Sequence, residues 1–119
     1  MDKAKKDRLT AAGIDVDGAL ERFMNNEALL ERFLRKFPAD PNYEKLTAAF
    51  AAGDYEEALT ASHTLKGMCG NLSLTVLFSL LSRQVDLLRA EDWDGAAALL
   101  AEIGPARQAV LEAIEEVWG

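Results

Sequence analysis

The sequence predicts an all-α protein, folded as an up-and-down antiparallel four-helix bundle with additional short N-terminal helices. Half of its 119 residues are hydrophobic and only three are proline. Alanine and leucine dominate and runs of β-branched residues are few, a composition typical of helices rather than strands. Short connections separate the amphipathic segments, which favours antiparallel neighbours. Because no linker or low-complexity segment divides the chain, we expect residues 1–119 to form a single domain.

The first three predicted helices are short, and capping or helix-breaking residues mark their ends. Gly13 closes the first helix, because glycine readily adopts the backbone conformation that ends a helix. Asp15 can cap the second, which ends near Asn25 and Asn26. Pro38 stops the third helix, since proline cannot continue the helical hydrogen bonds.

The four longest predicted helices form the bundle, and the earlier ones cover one end or side of it. They cover roughly residues 40–52, 54–71, 74–90 and 93–118. Asp40 and Pro41 start the first of these helices, as a capping side chain followed by proline at the first helical position.

The later helices carry similar signals. Asp54 begins the next helix, and Glu57 follows three residues later as in a capping box. Asp92 caps the last helix, and Gly104 followed by Pro105 predicts a kink or break inside it.

Charge and composition exclude several classes of function. Thirteen basic and twenty acidic residues give a net charge of −7, whereas nucleic-acid binding needs a concentrated basic face. No apolar run approaches the ~18 residues that span a membrane, and the N-terminal segment lacks the apolar core of a secretory signal. The single cysteine, Cys69, suits a reducing compartment. We therefore expect a cytoplasmic protein that binds neither nucleic acid nor membrane.

The only histidine, His63, lies in the segment ASHTLKGMCGNL of the fifth helix. On a helical wheel of about 100° per residue, His63, Gly67 and Gly70 share one face, away from the apolar stripe, and Lys66 lies on its flank. Each glycine costs a helix interior about 1 kcal/mol relative to alanine. The glycines either clear this face for another protein or let a neighbouring helix approach closely. Their distance from the apolar stripe favours a cleared face.

These residue types favour phosphoryl chemistry. A histidine nitrogen is a nucleophile that titrates near neutrality, and one histidine alone cannot hold a metal ion. No serine or cysteine nucleophile accompanies it as in a triad, because Cys69 faces the core. Lys66 supplies a cation one turn away that suits the oxygens of a phosphoryl group. A phosphate on His63 therefore fits better than hydrolysis.

The segment HTLKG at 63–67, followed by Gly70, by NL at 71–72 and by Ser73, resembles histidine-containing phosphotransfer (HPt) domains. The segments AGIDVDGALERF, AGDYEEAL and LLRAEDWDGA are similar too, so the resemblance extends over residues 12–101. It implies a helical bundle in which His63 is phosphorylated, Lys66 stabilises the phosphate and Gly67 gives an incoming receiver domain room. No P-loop or kinase glycine loop is present.

The resemblance also implies the partners. These are response-regulator receiver domains and a hybrid sensor kinase, between which the phosphoryl group passes as a step of a multistep phosphorelay. It implies a phosphoryl carrier without kinase activity or a cofactor of its own, and the receiver brings Mg²⁺. We expect a monomer that docks receivers through an apolar surface around His63. Its candidate residues are Met68, Leu20, Phe23 and Met24.

The chain departs from the family pattern at two places. Ser73 stands where the family often has glycine. In the next helix, Gln84 and Val85 occupy positions where the family commonly has leucine followed by glutamate or glutamine facing the histidine. Gln84 is either a buried polar residue that needs partners or a hydrogen-bond partner of the imidazole.

Two other functions stay open from the sequence. The first is a helical interaction module that binds receivers without carrying phosphate. The second is a phosphatase that acts on a receiver's aspartyl phosphate, which would require an acidic or amide residue aimed at that phosphate.

Overall fold

Eight α-helices and one 3₁₀ turn make up the computed structural model, which describes all 119 residues and contains no β-strand. The first three helices are short and precede the 3₁₀ turn at Phe37–Ala39. In chain order the helices are α1 (Lys3–Ala11), α2 (Val16–Arg22), α3 (Glu27–Lys36), α4 (Asn42–Ala51), α5 (Tyr55–Asn71), α6 (Thr75–Arg89), α7 (Trp93–Ala98) and α8 (Leu100–Trp118).

The long helices pack side by side. Helix α5 lies between α4 and α6, and α6 also packs against α7 and α8. Only residues 52–54 and 72–74 connect α4 to α5 and α5 to α6, so these neighbours run antiparallel. Helices α1 and α3 pack on α8. The predicted all-α bundle with short N-terminal helices is confirmed.

One continuous hydrophobic core joins all of the helices. Its fully buried members include Leu9, Leu30, Leu34, Leu46, Leu65, Leu77, Leu81 and Ile103. Removing such side chains from water supplies the main free energy of folding. None of the helices combines the length and the apolarity that crossing a membrane requires.

Side-chain caps begin the helices largely where the sequence predicts them. Asp54 Oδ1 accepts a hydrogen bond from the Glu57 backbone N–H at 3.1 Å. The reciprocal half of the predicted capping box is absent, because the Asp54 N–H donates to the Ala49 carbonyl instead. Asp40 Oδ1 accepts from the Asn42 N–H at 2.9 Å, and α4 begins just after Pro41.

A break at Gly104 and Pro105, one of the two predicted outcomes, is wrong, because α8 runs through Pro105. The interruption falls at Leu99, between α7 and α8, where the Leu99 carbonyl accepts from the N–H groups of both Glu102 and Ile103. Near the end of α7, the Ala96 carbonyl accepts from Gln84 Nε2 at 2.9 Å. A helix end leaves carbonyls without partners, and this side chain from α6 satisfies one of them.

Hydrogen bonds join the α1–α2 turn to the α5–α6 turn at one end of the bundle. Ile14 and Leu74 form an isolated antiparallel bridge, in which the Asp15 N–H donates to the Ser73 carbonyl at 2.9 Å. Thr75 Oγ1 donates to the Gly13 carbonyl at 3.2 Å. These bonds hold the α1–α2 turn against the α5–α6 turn, which follows the histidine-bearing helix.

Candidate functional site

His63 is exposed on the outer side of α5. The buried side of this helix is formed by Ala58, Ala61, Ser62, Leu65 and Cys69. Thr64, next to the histidine, donates its hydroxyl to the Thr60 carbonyl of the same helix at 2.9 Å. The structure therefore presents the imidazole on a regular helix whose other side is fixed in the core.

The two glycines after His63 have different surroundings. A Cβ atom added at Gly67 would meet no atom within 4 Å, so this position is open beside the imidazole. A Cβ at Gly70 would lie 3.2 and 3.3 Å from Cε2 and Cδ2 of the Phe78 ring on α6. Gly67 thus matches the predicted cleared face, whereas Gly70 lets a residue of the neighbouring helix pack closely against α5.

Lys66 is half-buried one turn after His63. Its Nζ atom lies 5.8 Å from the centroid of the Phe78 ring, within the range of a cation–π contact. Gly70, Phe78 and Lys66 therefore form one small cluster on the α6 side of the histidine.

A groove borders His63 on the opposite side, between α5 and the segment formed by α2, α3 and the 3₁₀ turn. Its walls are mostly apolar, with three phenylalanines, a methionine and a leucine, and cationic side chains stand among them. The lining residues are Arg22, Phe23, Phe33, Lys36, Phe37, Ala39, Asp40, His63, Thr64, Gly67, Met68, Asn71 and Leu72. The Phe23 and Phe33 rings pack together with their centroids 5.4 Å apart.

The groove contains some of the predicted docking residues and not others. Met68 and Phe23 line it, but Leu20 and Met24 do not. Met24 is 89 % exposed and lies in the turn after α2. Phe33, which is 42 % exposed, also lines the groove but was not among the predicted residues. The available signal was a large apolar residue outside the Leu30 and Leu34 face of α3.

The family model for the Hpt domain matches residues 28–118. The chain belongs to the Hpt domain family. Hpt domains are phosphoryl carriers of phosphorelay signalling rather than kinases, and they interact with receiver domains. A comparison with curated proteins and one with solved structures found no match.

The match differs in extent from the resemblance seen in the sequence. It includes His63, Lys66, Gly67, Gly70 and Gln84, and it extends to the end of α8. Residues 12–27, which contribute α2 and one wall of the groove, lie outside the matched range. This Hpt domain therefore builds part of the surface beside its histidine from residues that precede the match.

Gln84 does not lie on the histidine face of this Hpt domain. It is fully buried, its Oε1 accepts a hydrogen bond from Ser62 Oγ at 2.8 Å, and its Nε2 donates to the Ala96 carbonyl. Both ends of the amide are thus engaged inside the bundle, as expected for a buried polar group. The structure supports the first of the two predicted roles. Gln84 ties α5, α6 and α7 together just behind His63.

Cys69 is buried on the core side of α5, as the sequence predicts. Burial raises the pKa of its thiol to about 12, and the charge of Asp40 adds to this effect. The thiolate is the nucleophilic form of cysteine. Cys69 is therefore a core residue, whereas the His63 side chain is exposed.

Proposed function

We propose that His63 carries a phosphoryl group between aspartates of receiver domains, as one step of a multistep phosphorelay. The observation that carries the proposal is the exposed imidazole of an Hpt domain, which lines an apolar groove together with the open Gly67 position. A nucleophile, free space and a surface for a protein partner coincide at this place.

The transfer needs only a nucleophile from this chain. The unprotonated ring nitrogen of His63 attacks the phosphorus of a receiver's aspartyl phosphate. The N–P bond forms as the P–O bond to the aspartate breaks, and the aspartate leaves as a carboxylate. The reverse step, on a second receiver, transfers the phosphoryl group to its aspartate and returns the imidazole. Catalysis of such a transfer is mostly positioning and charge stabilisation.

The positions of Lys66 and Gly67 relative to His63 suggest a role for each in phosphoryl transfer. Lys66 stabilises the phosphoryl oxygens, because an ammonium one turn away lies on the same side of the helix. Gly67 gives the receiver room to approach, since nothing lies within 4 Å of its missing Cβ. The Mg²⁺ of the reaction belongs to the receiver.

The groove is the proposed docking surface for the receivers, which include a response regulator and a hybrid sensor kinase. Its apolar walls suit an apolar element of the partner, and Arg22 and Lys36 suit acidic side chains around it. We propose a monomer that presents this surface to each receiver. The same proposal places the relay step in the cytoplasm, which suits a chain whose one cysteine is free.

Incubation with a radiolabelled phospho-receiver tests the proposal. Label should move to the wild-type chain in an acid-labile form, as expected for phosphohistidine, and His63→Gln should abolish labelling without changing helicity or melting. Acid-labile label that persists on His63→Gln would overturn the assignment of the nucleophile.

The same experiment separates the alternatives. Label that stays on the receiver while the two proteins bind would indicate an interaction module that does not carry phosphate. Release of free phosphate, without a labelled intermediate on this chain, would indicate a phosphatase. Perturbation of backbone NMR shifts by a receiver should map to the groove, and perturbations confined to the opposite side of the bundle would contradict the docking surface.

A further inference from the structure

Phe78 is an exposed aromatic residue whose surroundings point to a role beside the histidine. It lies in the first turns of α6 and keeps 39 % of its surface exposed, although most large apolar residues of the chain are buried. One edge of the ring packs on Gly70 of α5, 3.2 Å from where a Cβ would lie. Its face is 5.8 Å from Lys66 Nζ.

We propose that Phe78 is a positioning residue that holds the Lys66 ammonium beside His63, and that Gly70 exists to admit its ring. This inference rests on the proposed phosphoryl-carrier function and adds a residue to it. Phe78 itself does not touch the reacting atoms. It restricts the long lysine side chain, which otherwise samples many rotamers, to the flank of α5 that faces Phe78 of α6, one turn from His63.

An aromatic ring suits this task better than a carboxylate. Elsewhere in the chain, Lys3 and Lys6 are held by acids, in the Lys3–Asp7 and Lys6–Asp17 ion pairs at 2.6 and 2.7 Å, whereas Lys36 lies over the Phe33 ring at 5.8 Å from its centroid. A carboxylate beside His63 would neutralise the lysine and repel an incoming phosphoryl group. The quadrupole of a phenylalanine ring attracts the ammonium without adding a negative charge. The cation therefore stays near His63 and keeps its full charge for the phosphate.

The lifetime of the phosphohistidine measures this role without any receiver. Phosphoramidate labels histidine as its own P–N bond breaks, releasing ammonia, and the N–P bond to His63 forms. Hydrolysis then breaks that bond, as water attacks the phosphorus and the ring nitrogen leaves with a proton. An ammonium held against the phosphoryl oxygens stabilises the phosphorylated state, so its loss shortens the lifetime.

A double-mutant cycle between Phe78 and Lys66 tests the proposal. Phe78→Leu, which keeps an apolar side chain but removes the ring, should shorten the lifetime about two- to fivefold, as expected for an exposed cation–π contact. Lys66→Ala should shorten it at least as much. Adding Phe78→Leu to Lys66→Ala should change nothing further. An equal effect of Phe78→Leu in both backgrounds, or none in either, would overturn the proposal.

Rescue and NMR distinguish positioning from packing or docking. Phe78→Trp should restore the wild-type lifetime, because indole also binds cations through its face. The Lys66 Hε protons should be shifted upfield by the ring in wild type and Phe78→Trp, and not in Phe78→Leu. If Phe78→Leu changes only the transfer rate from a receiver, Phe78 is a docking residue and the proposal fails. If wild-type His63 takes no phosphate from phosphoramidate or a phospho-receiver, the proposed function fails, and the Hε shift still reports whether the ring holds Lys66.

Discussion

Gly67 and Gly70 lie one and two turns after His63, and each omits a side chain for a different reason. Gly67 faces open space, whereas Gly70 faces the Phe78 ring. A single-helix wheel places both beside the histidine, but it contains no information about the neighbouring helix. The sequence therefore predicted which face of α5 the two glycines occupy. It could not predict the contact with Phe78 that distinguishes Gly70 from Gly67.

Alanine substitutions at the two glycines should differ in their effect on the free energy of unfolding. Gly67→Ala should raise the free energy of unfolding by up to about 1 kcal/mol, because alanine favours the helix and meets no atom. Gly70→Ala should gain less, because the Phe78 ring has to shift to admit the methyl group. Urea denaturation of the two variants measures the difference. A destabilised Gly67→Ala would contradict the open position at Gly67.

A larger side chain at Gly67 tests whether this open position gives a receiver access to His63. Gly67→Gln should sharply slow transfer from a phospho-receiver while the protein stays folded, since the side chain would occupy the approach to the imidazole. Labelling by phosphoramidate, a small donor, provides the control and should change much less. Equal loss with both donors would indicate damage to the histidine itself rather than a blocked approach.

The burial of Gln84 could be predicted from the sequence, but its hydrogen-bond partners could not. Its position on the Leu77, Leu81 and Leu88 face of α6 indicated burial, and the structure confirms it. One of its two partners, the Ala96 carbonyl, lies near the end of α7, just before the helix interruption at Leu99. The sequence signals at Gly104 and Pro105 suggested the break elsewhere, so this partner could not be predicted.

The turn between α5 and α6 is the element that fixes the end of the histidine-bearing helix. Ser73 in this turn has a φ of +55°, a left-handed conformation that costs a residue with a side chain roughly 1–2 kcal/mol. Its carbonyl accepts the Asp15 N–H, so the conformation also serves the contact with the α1–α2 turn. The family that the sequence resembles often has glycine at this position. This backbone angle explains that preference, because glycine adopts it without strain.

Ser73→Gly should therefore stabilise the protein. We expect a gain of about 0.5–1 kcal/mol, because relief of the backbone conformation exceeds the added flexibility of the unfolded chain. Thermal and urea denaturation measure the gain, and phosphorylation of His63 should be unaffected. Ser73→Ala is the matched control: it removes the hydroxyl but keeps the Cβ, so it should give no gain. Equal stabilisation by both variants would contradict the role of the backbone angle.

The groove illustrates the limit of prediction for whole elements. Caps and helix breakers located most helices to within a few residues, because these signals are local. The groove arises from residues on α2, α3, the 3₁₀ turn and α5, and its width depends on how these elements pack. Phe23 and Met68 were candidates from the sequence and the pattern of α3 carried a signal for Phe33, but the contribution of Phe37 required the tertiary arrangement.

At the scale of the whole molecule, charge is distributed unevenly around the site. The chain carries a net charge of −7, yet Arg22 and Lys36 line the groove and Lys66 lies on the opposite flank of His63. Asp40 is the one carboxylate among the lining residues of the groove. On the proposed function, an anionic phosphoryl group on a receiver would meet a locally cationic surface on an acidic protein, which favours productive over random encounters.

The single groove beside a single histidine also has a kinetic consequence. On the proposed docking, a receiver seated there would cover the imidazole, so donor and acceptor could not be bound at the same time, and each would have to leave before the other entered. The relay should follow double-displacement kinetics, in which the phosphorylated chain is released as a free intermediate.

Initial rates at several fixed concentrations of donor should give parallel double-reciprocal plots against acceptor, and excess unphosphorylated acceptor should inhibit the first half-reaction competitively. Intersecting plots would require a ternary complex and hence a second docking surface. If the two receivers compete for this one place, as proposed, the abundance of each should control the flow of phosphate through the protein.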